Sequence, residues 1–342
     1  MSDGAAVAAT AVAKSWPDGT RALDGVVCEA SAGEITAVVG PNAAGKSTLL
    51  QVLAATLRLD RGDRTILTTR LGPRELASAE LRARIGYLSQ SPELDPEMTC
   101  GEHLQLFATL HGIARRDRDA AVAHIADAFD LTDDRDRLAK QCSGGRRRRL
   151  HIACSLMHDP ELLILDEPMA GLDPDGRAAL WRQLRDRASR GCAVILASHD
   201  LDGMERHADA VWVLADGALA ASGRPNALIE AHGRRAVVAT FATAADAAAA
   251  HDSAADIAGV RGVEAAGNRL VLELEHQRVD RGDVLLRLEK VSDQLTSVDL
   301  QRANLSSAVA ALTNTRLEQA SAQSRGDDHG RGHRAGRGRR RR

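Results

Sequence analysis

The chain has 342 residues, 44% of them hydrophobic but only 2% aromatic, and carries a formal net charge of −2. That length fits one large domain or two medium ones, with a core packed mainly by aliphatic side chains. The charge balance excludes wholesale nucleic-acid binding, which shows as a basic domain, so no nucleic-acid partner is expected.

The five cysteines (Cys28, Cys100, Cys142, Cys154, Cys192) are scattered and form no CxxC pair. An odd, dispersed set argues against a disulfide framework or zinc site and for a reducing compartment. No apolar run approaches the ~20 residues that span a bilayer. The expectation is a soluble chain that serves a membrane, if at all, through a partner.

In chain order, residues 5–13 are rich in Ala and Val, but Asp3 stands where a signal peptide needs a basic start. They read as an edge strand. Residues 35–39 form a short β-branched apolar run, the pattern of a buried strand. A glycine-rich turn follows at 40–45, then a helix over 47–58. Residues 85–88, 162–165 and 193–196 are further buried-strand candidates, each with polar residues at its carboxyl end. Strands without alternation, separated by helices, predict an α/β fold with a mostly parallel sheet covered on both faces. Ligands of such sheets bind at the carboxyl ends of the strands.

From 92 to 140 the strand signals stop. The spacing of Leu104, Phe107, Ala108 and Leu110, and of Val122, Ile125, Ala126 and Phe129, is helical. This predicts a helical insert, a subdomain over about 92–157. Beyond residue 225 a small α+β region is expected at 235–315. Its strands are placed at 236–241, 269–273 and 295–300, and its helices at 244–257, 280–293 and 305–312. Residues 325–342 hold eight Arg against two Asp. Such a Gly/Arg tail cannot bury a core, so 316–342 reads as a disordered solubilising extension.

The chemistry begins at Gly40-Pro41-Asn42-Ala43-Ala44-Gly45-Lys46-Ser47, which satisfies GxxxxGK[ST] between a strand and a helix. Backbone N–H groups of such a loop cradle phosphate oxygens at the positive end of the helix. Lys46 would reach the β- and γ-phosphates, and the Ser47 hydroxyl would bind Mg²⁺. The strand at 162–165 ends in Asp166-Glu167. Asp166 suits a Mg²⁺ shell of hard oxygen ligands, leaving Glu167 as general base for the attacking water. Gln90 and His199 also fall at strand ends. His199 is placed to contact the γ-phosphate, and Gln90 to join the metal and its water.

Ser143-Gly144-Gly145, followed by the basic run from Arg146 to Arg149, resembles the signature of ABC ATPases. The family's motif order is complete: phosphate loop at 40–48, Gln90, signature at 142–146, Asp166-Glu167, 171–174 and His199. The resemblance covers about residues 5–230. It implies an ATPase domain over 1–225 that binds ATP and Mg²⁺, with Thr48 completing the phosphate loop and Trp16 stacking on adenine. It also implies that Ser143, Gly144, Gly145 and Asp173 of one copy complete the ATP site of a second copy, head to tail.

Ala43 departs from the family's glycine, which matters if that residue needs a positive φ. Cys142 and Arg146 replace the usual Leu and Gln. The segment SVDLQRANLSSAVAALT at 297–313 is similar to the end of daunorubicin-resistance-type export ATPases. Proteins of that group pair with a separate membrane permease and sit on the inner face of the cell membrane. An importer ATPase or a non-transport ABC protein is the alternative.

Overall fold

The computed structural model describes residues 5–90, 94–274, 287 and 294–314. Two compact units divide between Arg224 and Pro225. The first opens with β1 (Ala5–Ser15), β2 (Arg21–Ser31), β3 (Ile35–Val39), α1 (Lys46–Leu53), β4 (Arg61–Ile66) and β5 (Thr69–Leu71). It continues through α2 (Ala79–Ala83), β6 (Ile85–Leu88), α3 (Cys100–Leu110), α4 (Arg118–Ala128) and α5 (Gly144–Ser155). It closes with β7 (Leu162–Asp166), α6 (Pro174–Ser189), β8 (Ala193–Ala197), α7 (Leu201–His207), β9 (Ala210–Ala215) and β10 (Ala218–Gly223).

The main sheet runs β10-β9-β3-β8-β7-β6. Its strands from β9 to β6 are parallel, and β10 adds an antiparallel edge. All five residues of β3, β7 and β8 are buried, which only a sheet covered on both faces demands. Leu49, Leu50 and Leu53 of α1 are fully buried in the same core as Ile164 and Ile195. Each such leucine contributes about 1.5–3 kcal/mol relative to an exposed one. Because β3, β6, β7 and β8 are parallel, their carboxyl ends emerge at one edge, and the polar residues that follow them converge there.

The second sheet is antiparallel, ordered β2-β1-β4-β5. Residues 5–13 were expected at an edge; instead β1 is an interior strand, paired with β2 on one side and β4 on the other. The partner β4 carries the charged sequence RGDRTI and is invisible to an apolar pattern. The helix expected over 47–58 stops at Leu53, because Ala55 turns into the left-handed region with φ of 53°. Helix α3 begins with a reciprocal cap, in which the Thr99 hydroxyl accepts from the Glu102 N–H and the Glu102 carboxylate accepts from the Thr99 N–H.

The second unit contains α8 (Pro225–His232), β11 (Ala236–Phe241), α9 (Ala244–Ala255), β12 (Val260–Ala266), β13 (Arg269–Leu274) and β14 (Leu295–Gln301). A last helix, α10, covers 305–314. Its sheet is wholly antiparallel, ordered β12-β13-β11-β14. Val237, Ala239 and Phe241 share a core with Leu270, Leu272 and Leu274; the three leucines alternate with exposed or half-buried neighbours, whereas Val238 of β11 is buried as well. Ala247, Ala250 and Ala254 present the helical stripe that covers this face. Strand β12 has no sequence signal, since its VRGVEAA is mostly exposed and broken by Gly262. The helix expected at 280–293 lies, apart from Arg287, outside the described residues, as does the basic tail.

Candidate functional site

The loop between β3 and α1 is shaped by close backbone approach. Gly40 has φ of 151°, and a Cβ there would lie 2.0 Å from the Leu214 carbonyl oxygen. Gly45 has φ of 98°, and its Cβ would meet the Ala22 carbonyl oxygen at 2.2 Å. Neither position admits a side chain. Ala43 is also left-handed, with φ of 63°, so the position does require a positive φ and alanine adopts it under strain. Such a residue costs about 1–2 kcal/mol. Its methyl group is exposed, so nothing but the torsion is violated.

Helix α1 starts at Lys46 with Gly45 as its cap residue, no capping side chain and no acid in its first turn. The leading N–H groups therefore form a positive end suited to an anion. Lys46 is buried, and its Nζ donates to the carbonyls of Gly40 and Pro41, both at 2.8 Å. Burial lowers its pKa, opposed by the charges of Glu167 and Asp166. Phosphate oxygens would offer this ammonium charged acceptors in place of neutral ones.

The strand ends meet this loop. Asp166 closes β7 and is 3% exposed. Glu167 follows with φ of 50°, a left-handed conformation for a bulky residue, and its N–H donates to Ala197 O at 2.8 Å. Its carboxylate accepts from the His199 backbone N–H at 3.3 Å and lies 3.4 Å from His199 Nε2. Burial pushes the Glu167 carboxyl above its ordinary value, while His199 and Lys46 pull it back down. A half-shielded carboxyl of raised basicity is suited to taking a proton from water.

Lys46, Ser47, Thr48, Gln90, Asp166 and Glu167 line one cleft of about 450 Å³. Asn42, Ala43, Gly45 and His199 also line it, and Trp16 stands at its wall, 38% exposed. Lys14 Nζ lies 5.8 Å from the Trp16 ring centre. Gly40, Pro41 and Ala44 belong to the loop but do not line the cleft. Thr20, Ala22 and Ala170 also line it; the two alanines carry no polar group, and the Thr20 hydroxyl follows no motif that would mark it.

Ser143, Gly144, Gly145 and Asp173 do not join this cleft. Ser143 caps α5, its hydroxyl accepting the Arg146 N–H at 3.3 Å. Gly145 packs so that a Cβ would lie 3.2 Å from Gly171 O, whereas Gly144 faces open space. Asp173 caps α6 by accepting from Gly176 N at 2.8 Å. Its carboxylate also holds Arg149 Nη2 at 2.8 and 2.9 Å, and that ion pair keeps its pKa below the usual carboxylate range.

The run of four arginines divides its labour. Arg146 pairs with Asp134, which is 2% exposed and also holds Arg137 Nη1 at 2.7 Å. Arg149 links Asp130 to Asp173. Arg147 is exposed, and Arg148 is buried beneath the strand ends. By composition the four arginines are indistinguishable. What separates them is the helical stripe, which puts Arg148 four residues before buried Ile152.

The family model described as "ABC transporter" matches residues 23–170. The Nod factor export ATP-binding protein I of Rhizobium sp. strain N33 is 36% identical over 221 residues, covering 65% of this chain and 71% of that protein. The chain belongs to the ABC transporter ATP-binding family. The daunorubicin resistance ATP-binding protein DrrA3 of Streptomyces coeruleorubidus is 39% identical over 208 residues, 61% of this chain and 65% of that protein. The chain covers 64% of the Nod factor export ATP-binding protein I of Bradyrhizobium diazoefficiens, so it spans less than two thirds of several of these relatives. A solved ATP-binding subunit of an ABC transporter superposes with a TM-score of 0.60 at 26% identity, over 66% of this chain and 92% of that one. An ABC cassette with a mostly parallel sheet, an antiparallel β portion and a helical insert is the fold of this family member.

Proposed function

We propose that this ABC protein is the ATP-hydrolysing subunit of an exporter. Two copies would pair head to tail, close on two ATP molecules, and drive a separate membrane permease that moves a drug-like or lipid-like substrate. The observation that carries this reading is a division of parts. Phosphate loop, carboxylates, Gln90 and His199 share one cleft, while the Ser143-Gly144-Gly145 helix end lies off it. A second copy is the natural supplier of that missing wall. In this reading residues 1–225 are the ATPase domain and 235–315 a small accessory domain.

Trp16 offers its face to the adenine ring, and the loop N–H groups with Lys46 hold the phosphates. Ser47, Gln90 and Asp166 present only oxygen donors to the cleft, the donor set of a hard cation such as Mg²⁺. Among the described residues no cluster of three His, Cys, Asp or Glu exists to favour a softer metal. Bound there, Mg²⁺ would neutralise charge building on the phosphate oxygens. Glu167 takes a proton from water as the water oxygen bonds to the γ-phosphorus and the bond to the bridging oxygen breaks. His199 orients Glu167 and senses the γ-phosphate. Lys46 stabilises the charge spread over the leaving and transferring oxygens.

Export is supported by the relatives named for export and for drug resistance. Among the described residues no helix is long and apolar enough to cross a membrane, which suits a subunit docked on the inner face through its permease. The test is Glu167→Gln. Turnover should fall by about 100-fold or more while ATP binding persists, and light scattering should show an ATP-dependent dimer. Unchanged turnover sinks the assignment. A six-span permease should co-purify with the chain; a solute-binding partner instead would redirect the reading to import.

A further inference from the structure

We infer that Arg148 is a positioning residue of the hydrolytic centre, tying the signature helix α5 to the two strand ends that carry Gln90 and Glu167. The inference rests on the ATPase reading above. Strands β6 and β7 are paired up to Leu88 and Leu165. Just past that last pair, Arg148 takes over. Its Nη1 donates to Ser89 O at 3.4 Å and Gln90 O at 3.1 Å. Its Nη2 donates to Asp166 O at 3.1 Å and Glu167 O at 2.5 Å. One planar guanidinium thus bridges the segments that follow two paired strands with a fixed fork, a geometry that a lysine ammonium on a flexible stem cannot reproduce.

The energetics argue against a space-filling role. Arg148 is 5% exposed, and its hydrogen-bond acceptors are carbonyls rather than a carboxylate. Burying a cation without a directly paired anion is expensive, and an apolar residue of similar volume would be the cheaper filler. What the arginine secures is Glu167, whose left-handed φ of 50° is held on both sides: its N–H by Ala197 O, its carbonyl by Arg148. Strain of this kind persists only where the surroundings over-determine it.

His151, one turn further along α5, places Nδ1 3.5 Å from Arg148 Nη1. Burial and the neighbouring charge lower its pKa to about 4, so near neutral pH it is an uncharged acceptor rather than a competing cation. Arg148 thus links α5 directly to both strand ends.

The test compares the full-length parent with Arg148→Lys, Arg148→Gln and Glu167→Gln. Arg148→Lys should bind a fluorescent ATP analogue within about twofold of the parent, yet lose about 10- to 100-fold in kcat, the loss a small misplacement produces. Hydrogen exchange should quicken at the amides near 89–90 and 167–170 while the phosphate loop stays unchanged. Parent-like kcat in Arg148→Lys overturns the inference alone. So does a parallel loss of kcat, nucleotide affinity and melting temperature, or failure of both Arg148 variants to fold, since each marks a purely structural role. A parent that does not hydrolyse ATP and is unaffected by Glu167→Gln sinks the ATPase reading and this inference with it.

Discussion

Two helix N-termini of the cassette, those of α1 and α5, are each flanked by glycine and lack an acid in the first turn. Six other helices carry one: Glu80, Glu102, Asp119, Asp175, Asp202 and Asp246 answer the helix dipole from within. The two ends differ in what surrounds them. At α1 the cleft brings Asp166, Glu167, Gln90 and His199 beside the phosphate loop, which is equipment for chemistry. At α5 the neighbouring Arg146 and Arg149 are engaged by Asp134, Asp130 and Asp173. The carboxylates near the α5 end are thus tied up in ion pairs with arginines. In the proposed reading the first end serves hydrolysis, the second serves recognition, and a complete site needs both.

The sharpest way to break that contrast is Ser143→Arg. Hydrolysis should drop by about 100-fold or more, while ATP titration of the monomer stays within about twofold. Equal loss of both would mean that α5 serves the cleft of its own subunit, and the division of labour would fail.

A smaller effect concerns the Glu167 carboxyl in the α1 cleft. Burial raises the Glu167 carboxyl above its ordinary value, so the folded chain keeps that proton where the unfolded chain has released it. Stability from this group is therefore fully present at low pH and is lost as pH rises through the raised value. Glu167→Gln removes the loss. The variant should melt about 2–4 °C above the parent at neutral pH, on the order of 1 kcal/mol, with the gap closing on acidification. Thermal melts across the acidic to neutral range decide it; a gap that does not depend on pH would contradict the burial argument.

The smallest effect is at Ala43, where the loop holds an alanine at φ of 63°. Ala43→Gly relieves the torsion at the expense of a floppier unfolded chain, for a net gain of about 0.5–1 kcal/mol. Denaturant midpoints measure it, and a destabilised variant would mean that the methyl group packs on something in solution.

The phosphate loop, Asp166-Glu167, Gln90 and His199 were legible because each follows a short apolar run, and parallel strands deliver such followers to one edge. The core of β3, β7 and β8 was legible for the same reason. The antiparallel sheet was harder. Strand β4 carries three charges in its first four residues, and the interior place of β1 leaves no local mark on a strand that is Ala- and Val-rich. Arg148 was hidden among four arginines of identical composition, and only packing distinguishes the one that turns inward.

Residue type and spacing by themselves determined the α/β class, the glycine-rich loop between strand and helix, and the carboxylate pair at a strand end, because glycine, lysine and acid at fixed offsets have few other uses. Tertiary structure alone decided which groups share the cleft, that Glu167 is strained and raised in pKa, and that Arg148 joins the two strand ends. Those properties arise from desolvation and from contacts between residues tens of positions apart, such as the 58 that separate Arg148 from Gln90. A linear pattern does not record them.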